Sequence, residues 1–263
     1  MDLGLTGKVV VVTGGSKGIG SAIVREFFKE GAVVATFGRT EKALRTFAEE
    51  LAKEGYDLYF EALDASKKSE VSAFAQRVKE RFGSIDVWVN NAGTNRLGRF
   101  LDYSEEDYDY IMDINTKSVF LCTQIAGSIM KEQGGGVIIN ASSFATHMAQ
   151  ANSTIYAASK CAVASFTKST AGALAPFGIR VVGYMPGVIL TPLAYDMIKS
   201  DPEKYYKDIA MHRTGDPEEI AKPVVFLASP CASFITGVDL EIGGGKFAVQ
   251  DCMMAYNMEK EAQ

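Results

Sequence analysis

Tyr156 and Lys160 lie four residues apart in a stretch of helical periodicity over 152–175, so both project from one helix face. A free tyrosine titrates at about pH 10, too high for efficient proton exchange near neutrality. A neighbouring ammonium favours the phenolate and lowers that value. A tyrosine tuned this way can protonate a carbonyl oxygen as hydride reaches the carbon, or deprotonate an alcohol in the reverse direction. Two hydroxyls precede it, on Ser142 and Ser143, at the end of a strand expected over 137–141. That end is the carboxyl edge of the sheet, where open α/β folds bind ligands, and a hydroxyl there can act as an oxyanion donor. From the residues alone the two serines compete, because a slip of one residue exchanges inward and outward side chains.

A second constellation suits a phosphate. Thr13-Gly14-Gly15-Ser16-Lys17-Gly18-Ile19-Gly20 joins an apolar run to a helical pattern over 21–30. Gly14, Gly18 and Gly20 permit a tight turn and bring backbone N–H groups near a pyrophosphate, whose charge the following helix N-terminus favours. Gly20 is followed by Ser21, not by the Gly-Lys-Ser/Thr of a triphosphate loop. The next strand closes on Thr36-Phe37-Gly38-Arg39-Thr40. No carboxylate stands there to accept hydrogen bonds from a ribose diol. Arg39 and Lys17 instead offer two cations, and a guanidinium fork matches a 2′-phosphate. The expected cofactor is NADP(H).

These groups must be held by alternating strands and helices. Short β-branched runs over 8–13, 32–37, 85–90, 137–141 and 179–184 are separated by segments of helical periodicity, with weaker strands at 56–62 and 238–242. Strands without polar alternation are buried on both faces, and intervening helices imply parallel crossovers. The fold class expected is α/β, a doubly wound parallel sheet of about seven strands with helices on both faces. It forms one domain over 1–263, with a cofactor half over about 1–140, a catalytic and substrate half over about 141–245, and a tail over 246–263. Helix starts are marked at Thr40, at Ser104 with Asp107 three residues on, and at Asp216 before Pro217.

Composition excludes several classes. The 27 Lys+Arg and 32 Asp+Glu leave a net charge of −5, against a nucleic-acid partner, which needs a clustered basic face. Two His and four scattered Cys offer no metal-ligand spacing. The Cys read as small hydrophobes in or near apolar stretches. No apolar run suits a signal peptide or membrane span, and a reducing cytoplasm is expected.

The glycine cradle, Asn90-Asn91-Ala92-Gly93, Tyr156-Ala157-Ala158-Ser159-Lys160 and Pro186-Gly187-Val188-Ile189-Leu190-Thr191 together resemble the classical short-chain dehydrogenase/reductase family, from Leu5 to about Gly245. The resemblance implies a catalytic set of Asn115, Ser143, Tyr156 and Lys160, the family spacing selecting Ser143 over Ser142 and giving Asn115 support of a proton-relay water. It implies cofactor contacts from Gly14, Ser16, Lys17, Gly18, Ile19, Gly20, Arg39 and Thr40. It adds Asp64, Asn90, Ala92 and Gly93, with Asp64 and Asn90 at the adenosine half. Tyr156, Lys160 and Gly187 are further cofactor contacts, and Thr191 and the backbone of Ile189 hold the nicotinamide carboxamide. Ala145 replaces a common glycine, and Tyr184-Met185 replace smaller residues. Association as a homotetramer through the long helices is implied as well.

The reaction class expected is ketone to secondary alcohol interconversion. The resemblance implies a mobile lid after Thr191, running to about Arg213; its Leu193, Tyr195, Met197, Ile198, Tyr205, Tyr206, Ile209 and Met211 suit a bulky apolar substrate of hydroxysteroid or 3-oxoacyl type, or equally an amphipathic face packed on the core. Arg96, His147, Met148 and Leu193 are the candidate substrate residues. A sugar or polyol dehydrogenase of the same family and a non-catalytic NADP-binding regulatory module are the alternatives.

Overall fold

The computed structural model describes residues 2–192, 194–246 and 248–261. Seven parallel strands make one sheet: β1 (Val9–Thr13), β2 (Val33–Gly38), β3 (Tyr59–Ala62), β4 (Val87–Asn90), β5 (Gly136–Ala141), β6 (Ile179–Pro186) and β7 (Asp239–Ile242), in the order β3-β2-β1-β4-β5-β6-β7. The helices are α1 (Gly18–Lys29), α2 (Glu41–Lys53), α3 (Lys68–Phe82), α4 (Glu105–Met112), α5 (Ser118–Gln133), α6 (Thr154–Leu174), α7 (Tyr195–Ser200), α8 (Pro202–Tyr206), α9 (Pro217–Ala228) and α10 (Met254–Glu261).

The valine run of β1 shows why the sheet is covered twice. Val10 and Val12 enter a core with Ile23 and Phe27 of α1 and Ile220 and Val224 of α9. Val9 and Val11 enter a second core with Phe74 and Val78 of α3 and Cys122 and Ile125 of α5. Successive side chains leave opposite faces of a strand, so an unbroken apolar run needs a helical layer on each side. The two strands with weak sequence signals, β3 and β7, are the sheet's edges. Their side chains are only partly covered, so no continuous apolar run marks them.

Local punctuation follows the sequence. Ser104 caps α4 by accepting from the Asp107 N–H, and the Asp107 carboxylate returns to the Ser104 N–H. Asp216 and Glu219 make the same reciprocal pair at α9, with Pro217 at its first position. The cysteines depart from expectation: Cys122 is buried, but Cys161 and Cys231 are exposed and Cys252 is half-buried. An apolar neighbourhood in sequence does not choose which helix face a residue takes. Among the described residues, no helix is long and apolar enough to cross a membrane.

The strand order reverses between β1 and β4, which opens a crevice at their carboxyl ends. The cradle after β1 and the Asn90–Gly93 loop after β4 face each other across it. Thr13 ties them, its hydroxyl accepting from the N–H groups of Asn91 (3.0 Å) and Ala92 (2.9 Å).

Candidate active site

The cradle is built by close backbone approach. Gly14 and Gly18 have φ of +68° and +54°, a region costly for side-chain-bearing residues. A Cβ at Gly20 would strike the Gly14 carbonyl and the Asn91 amide, and one at Gly15 would strike the Thr36 hydroxyl. That hydroxyl accepts from Gly15 N (3.1 Å) and donates to Val12 O (2.6 Å). Lys17 precedes α1 in extended conformation and the helix's first turn carries no acidic residue. The first N–H groups of a helix have no intrahelical partner, so Gly18, Ile19 and Gly20 present donors and a partial positive charge. An unbulky loop with outward N–H groups and no carboxylate fits a pyrophosphate. Thr191 lies against the same loop, 3.5 Å from where a Gly18 Cβ would stand. Its N–H donates to Ile189 O (2.9 Å), and Ile189 pairs with Gly215. Gly187 allows its backbone to press on Gly243, whose Cα lies 2.7 Å from where a Gly187 Cβ would stand.

Ser143, Tyr156, Lys160 and Asn115 gather on the β5 side of this crevice. Ser143 follows β5, is buried, and accepts from Ala145 N (3.2 Å). Its hydroxyl is near enough to the Tyr156 phenol to act on its titration. Ser142 points elsewhere, its hydroxyl donating to Tyr184 O (3.2 Å), so the two serines separate as a strand's alternation requires. Burial pushes the Tyr156 phenol above its ordinary value, and Ser143 pulls it back in part. Lys160 is 4% exposed and donates from Nζ to Ala141 O (2.8 Å). Its Nζ stands 5.8 Å from the Tyr156 ring centroid. Burial lowers the ammonium to about 8. Tyr156 is therefore protonated near neutrality, while Lys160 is closer to losing its charge than an exposed lysine.

Asn115 is fully buried inside a π-helical turn, Asp113–Lys117, between α4 and α5. Such turns interrupt the regular ladder and recur at functional sites. Its side chain reaches out of its own helix, accepting from Thr94 N (2.8 Å) and donating to Thr94 O (2.9 Å) and Ser159 Oγ (3.0 Å). Asn115 Oδ1 and Lys160 Nζ meet at Gly93, each 3.5 Å from where its Cβ would stand.

The remaining predicted residues spread around this centre. Ser16, Lys17 and Thr40 line a concavity with Lys42, Phe47 and Glu50. Arg39 follows β2, is exposed, and donates to the Tyr110 hydroxyl (3.1 Å). Asp64 follows β3, beside the end of β2, and accepts from Ser66 N and Oγ (both 2.9 Å). The Asn90 side chain turns inward, accepting from Trp88 Nε1 (2.9 Å) and donating to Asn140 Oδ1 (2.8 Å) and Thr123 Oγ1 (3.2 Å), which leaves only its backbone towards the crevice. Arg96 is paired with Asp107 and stacked 4.0 Å above the Tyr110 ring. Thr146 Oγ1 and His147 Nδ1 are 2.9 Å apart, and Met148 is exposed. Leu193 lies outside the described residues. In the segment after Thr191, Ile198 and Ile209 are buried, whereas Tyr195 and Met211 are exposed.

Several residues in this site were invisible to spacing arguments. Thr13, Thr36, Asn91, Thr94 and Ser159 hold the loops through hydrogen bonds to groups distant in sequence. Tyr110 sits between the Arg39 and Arg96 guanidiniums, and nothing in the α4 pattern distinguishes it from any other helix-face aromatic. Thr13, Thr36, Asn91 and Ser159 fall within segments the sequence singles out, but nothing there marks the bonds they make.

Comparison with known proteins agrees with this geometry. A family model described as enoyl-(acyl carrier protein) reductase matches residues 11–246. The chain is 40% identical over 254 residues to a 3alpha-hydroxysteroid dehydrogenase of Mediterraneibacter gnavus, covering 93% of this chain and 98% of that protein. It is 35% identical over 246 residues to the 3-oxoacyl-[acyl-carrier-protein] reductase FabG of Chlamydia pneumoniae, covering 93% and 99%. A crystal structure of a short-chain type dehydrogenase/reductase from Mycobacterium marinum superposes with a TM-score of 0.88 at 34% identity, covering 93% of this chain and 97% of that one.

Proposed function

The chain belongs to the classical short-chain dehydrogenase/reductase family, and from that premise we propose that it is an NADP(H)-dependent enzyme interconverting a ketone and a secondary alcohol on a bulky apolar substrate of hydroxysteroid or 3-oxoacyl type. The observation that carries the reading is the grouping of Ser143 and Tyr156 beside the buried Lys160, at the same sheet edge as the glycine cradle.

The cradle N–H groups would hold the pyrophosphate; Lys17 and Lys42, with Glu50, line a concavity beside it, and Arg39 follows β2, which ends without a carboxylate, so that these cations would meet a 2′-phosphate. The bound nicotinamide supplies or accepts the hydride. Ser143 donates to the substrate oxygen and orients it. Tyr156 gives its phenolic proton to that oxygen in reduction and takes it back in oxidation. The Lys160 ammonium stabilises the phenolate left behind, and the Ala141 carbonyl holds that ammonium in place. Asn115 clasps the loop after β4 to α6 through Thr94 and Ser159, which fixes the helix carrying Tyr156 and Lys160. The exposed apolar side chains of Leu97, Met148, Tyr195 and Met211 support an apolar substrate over a polyol. The loops of the first two are joined by the Gly98 N–H to Asn152 O bond (2.9 Å). The same family reading carries a homotetramer. Its support is the apolar groove between α5 and α6, lined by Phe120, Phe166 and Leu174.

The test is Tyr156→Phe assayed for NADPH consumption against steroid, 3-oxoacyl thioester and ketose substrates. Turnover should fall by a factor of about 100 to 10,000 with cofactor affinity retained, and steroid or oxoacyl members should lead in kcat/KM. An active Tyr156→Phe enzyme overturns the proton assignment, and a wild type that turns over only ketoses overturns the substrate class.

A further inference from the structure

Behind the cradle runs a hydrogen-bond chain that the pyrophosphate loop and the proton-transfer residues leave unexplained. Asn91 donates from Nδ2 to two carbonyls, Thr13 O (3.0 Å) and Gly14 O (3.2 Å). Carbonyls only accept, so the amide's NH2 end must face them and its oxygen must face away. That oxygen accepts from the Tyr184 hydroxyl (3.0 Å). Tyr184 is fully buried in β6, where the family pattern has a smaller residue. Its backbone carbonyl also receives the N–H of Ser142 (2.9 Å), the neighbour of Ser143. A Cβ at Gly20 would meet both Gly14 O and Asn91 Nδ2, so Asn91 sits wedged between the first and last glycines of the cradle.

Resting on the nicotinamide-cofactor reading above, we propose that Tyr184 is a positioning residue for the cofactor: its hydroxyl locks the Asn91 amide, and through it the spacing of Gly14 and Gly20 that receives the pyrophosphate. Without the hydroxyl, the Asn91 oxygen loses its donor in a part-buried hydrogen bond, a loss that is costly when the other partner stays behind. The amide is then free to rotate and present oxygen to the two carbonyls. Burial and the nearby Tyr156 both push the Tyr184 phenol upward, so it remains a donor throughout the working pH range. The backbone bond to Ser142 is untouched by removing the hydroxyl, so the effect falls on cofactor binding and spares the substrate side.

The experiment is calorimetric titration of the full chain with NADPH and NADH, following whichever binds the wild type more tightly. Tyr184→Phe should raise its Kd about five- to tenfold, the worth of about one buried hydrogen bond. At saturating cofactor, kcat should stay within about twofold of wild type. In an Asn91→Ala background, Tyr184→Phe should weaken binding no further, since the partner it acts through is gone. Should Tyr184→Phe not fold, Asn91→Ala carries the same expectation for Kd. A Tyr184→Phe protein with lowered thermal stability but unchanged Kd overturns the proposal, as does additive weakening in the double variant. A wild type that binds neither dinucleotide overturns the cofactor reading itself, and this inference with it.

Discussion

Replacing Lys160 with Met should make the protein more stable at pH 7 and nearly inactive. The side chain is 4% exposed and burial lowers its ammonium from an ordinary 10.5 to about 8. That difference is about 3 kcal/mol of penalty on the charged form in the fold. Because the folded value lies below the unfolded one, the penalty is fully present below pH 8 and fades as pH rises from 8 towards 10.5. Methionine has similar length and no charge. It forfeits the hydrogen bond to Ala141 O (2.8 Å), worth about 1 kcal/mol, with a larger cost if the carbonyl stays dry. The balance at pH 7 is a gain of about 1–2 kcal/mol for Lys160→Met, and at about pH 10 the two proteins should be nearly equal. Urea unfolding of both, at one protein concentration and at several values from pH 6.5 to 10, measures this directly. A stability difference that does not change with pH would refute the reasoning, because the ammonium would then carry no burial penalty. Turnover should fall at least about a hundredfold at every pH, an instance of stability given up for function.

Two further outcomes follow from the same site. Since the Lys160 ammonium is needed to stabilise the phenolate, kcat/KM for ketone reduction should fall as pH rises through about 8; a flat profile to pH 10 counts against that role. Arg39→Ala should cut the preference for NADPH over NADH about ten- to a hundredfold, the worth of a charge-assisted contact. Unchanged preference would mean that Arg39 stays on Tyr110 and Lys17 and Lys42 alone meet the phosphate.

What the sequence by itself determined was the strand–helix alternation, the cradle, and the spacing that puts Tyr156 and Lys160 on one face. These depend on period, on glycine's missing Cβ and on capping, all properties of neighbours in the chain. The two edge strands were faint because half-covered strands need no continuous apolar run. Only the tertiary structure separated the surroundings of Ser142 and Ser143, aiming the first at Tyr184 O and leaving the second beside the Tyr156 phenol. It also turned the Asn90 side chain into the network with Trp88 and Asn140. Lys160 was brought to Ala141, Asn115 to Thr94 and Tyr184 to Asn91 in the same way. Each of these bonds joins residues 19 to 93 positions apart. Buried polar groups must find partners wherever packing brings them, and a linear pattern does not record who those partners are.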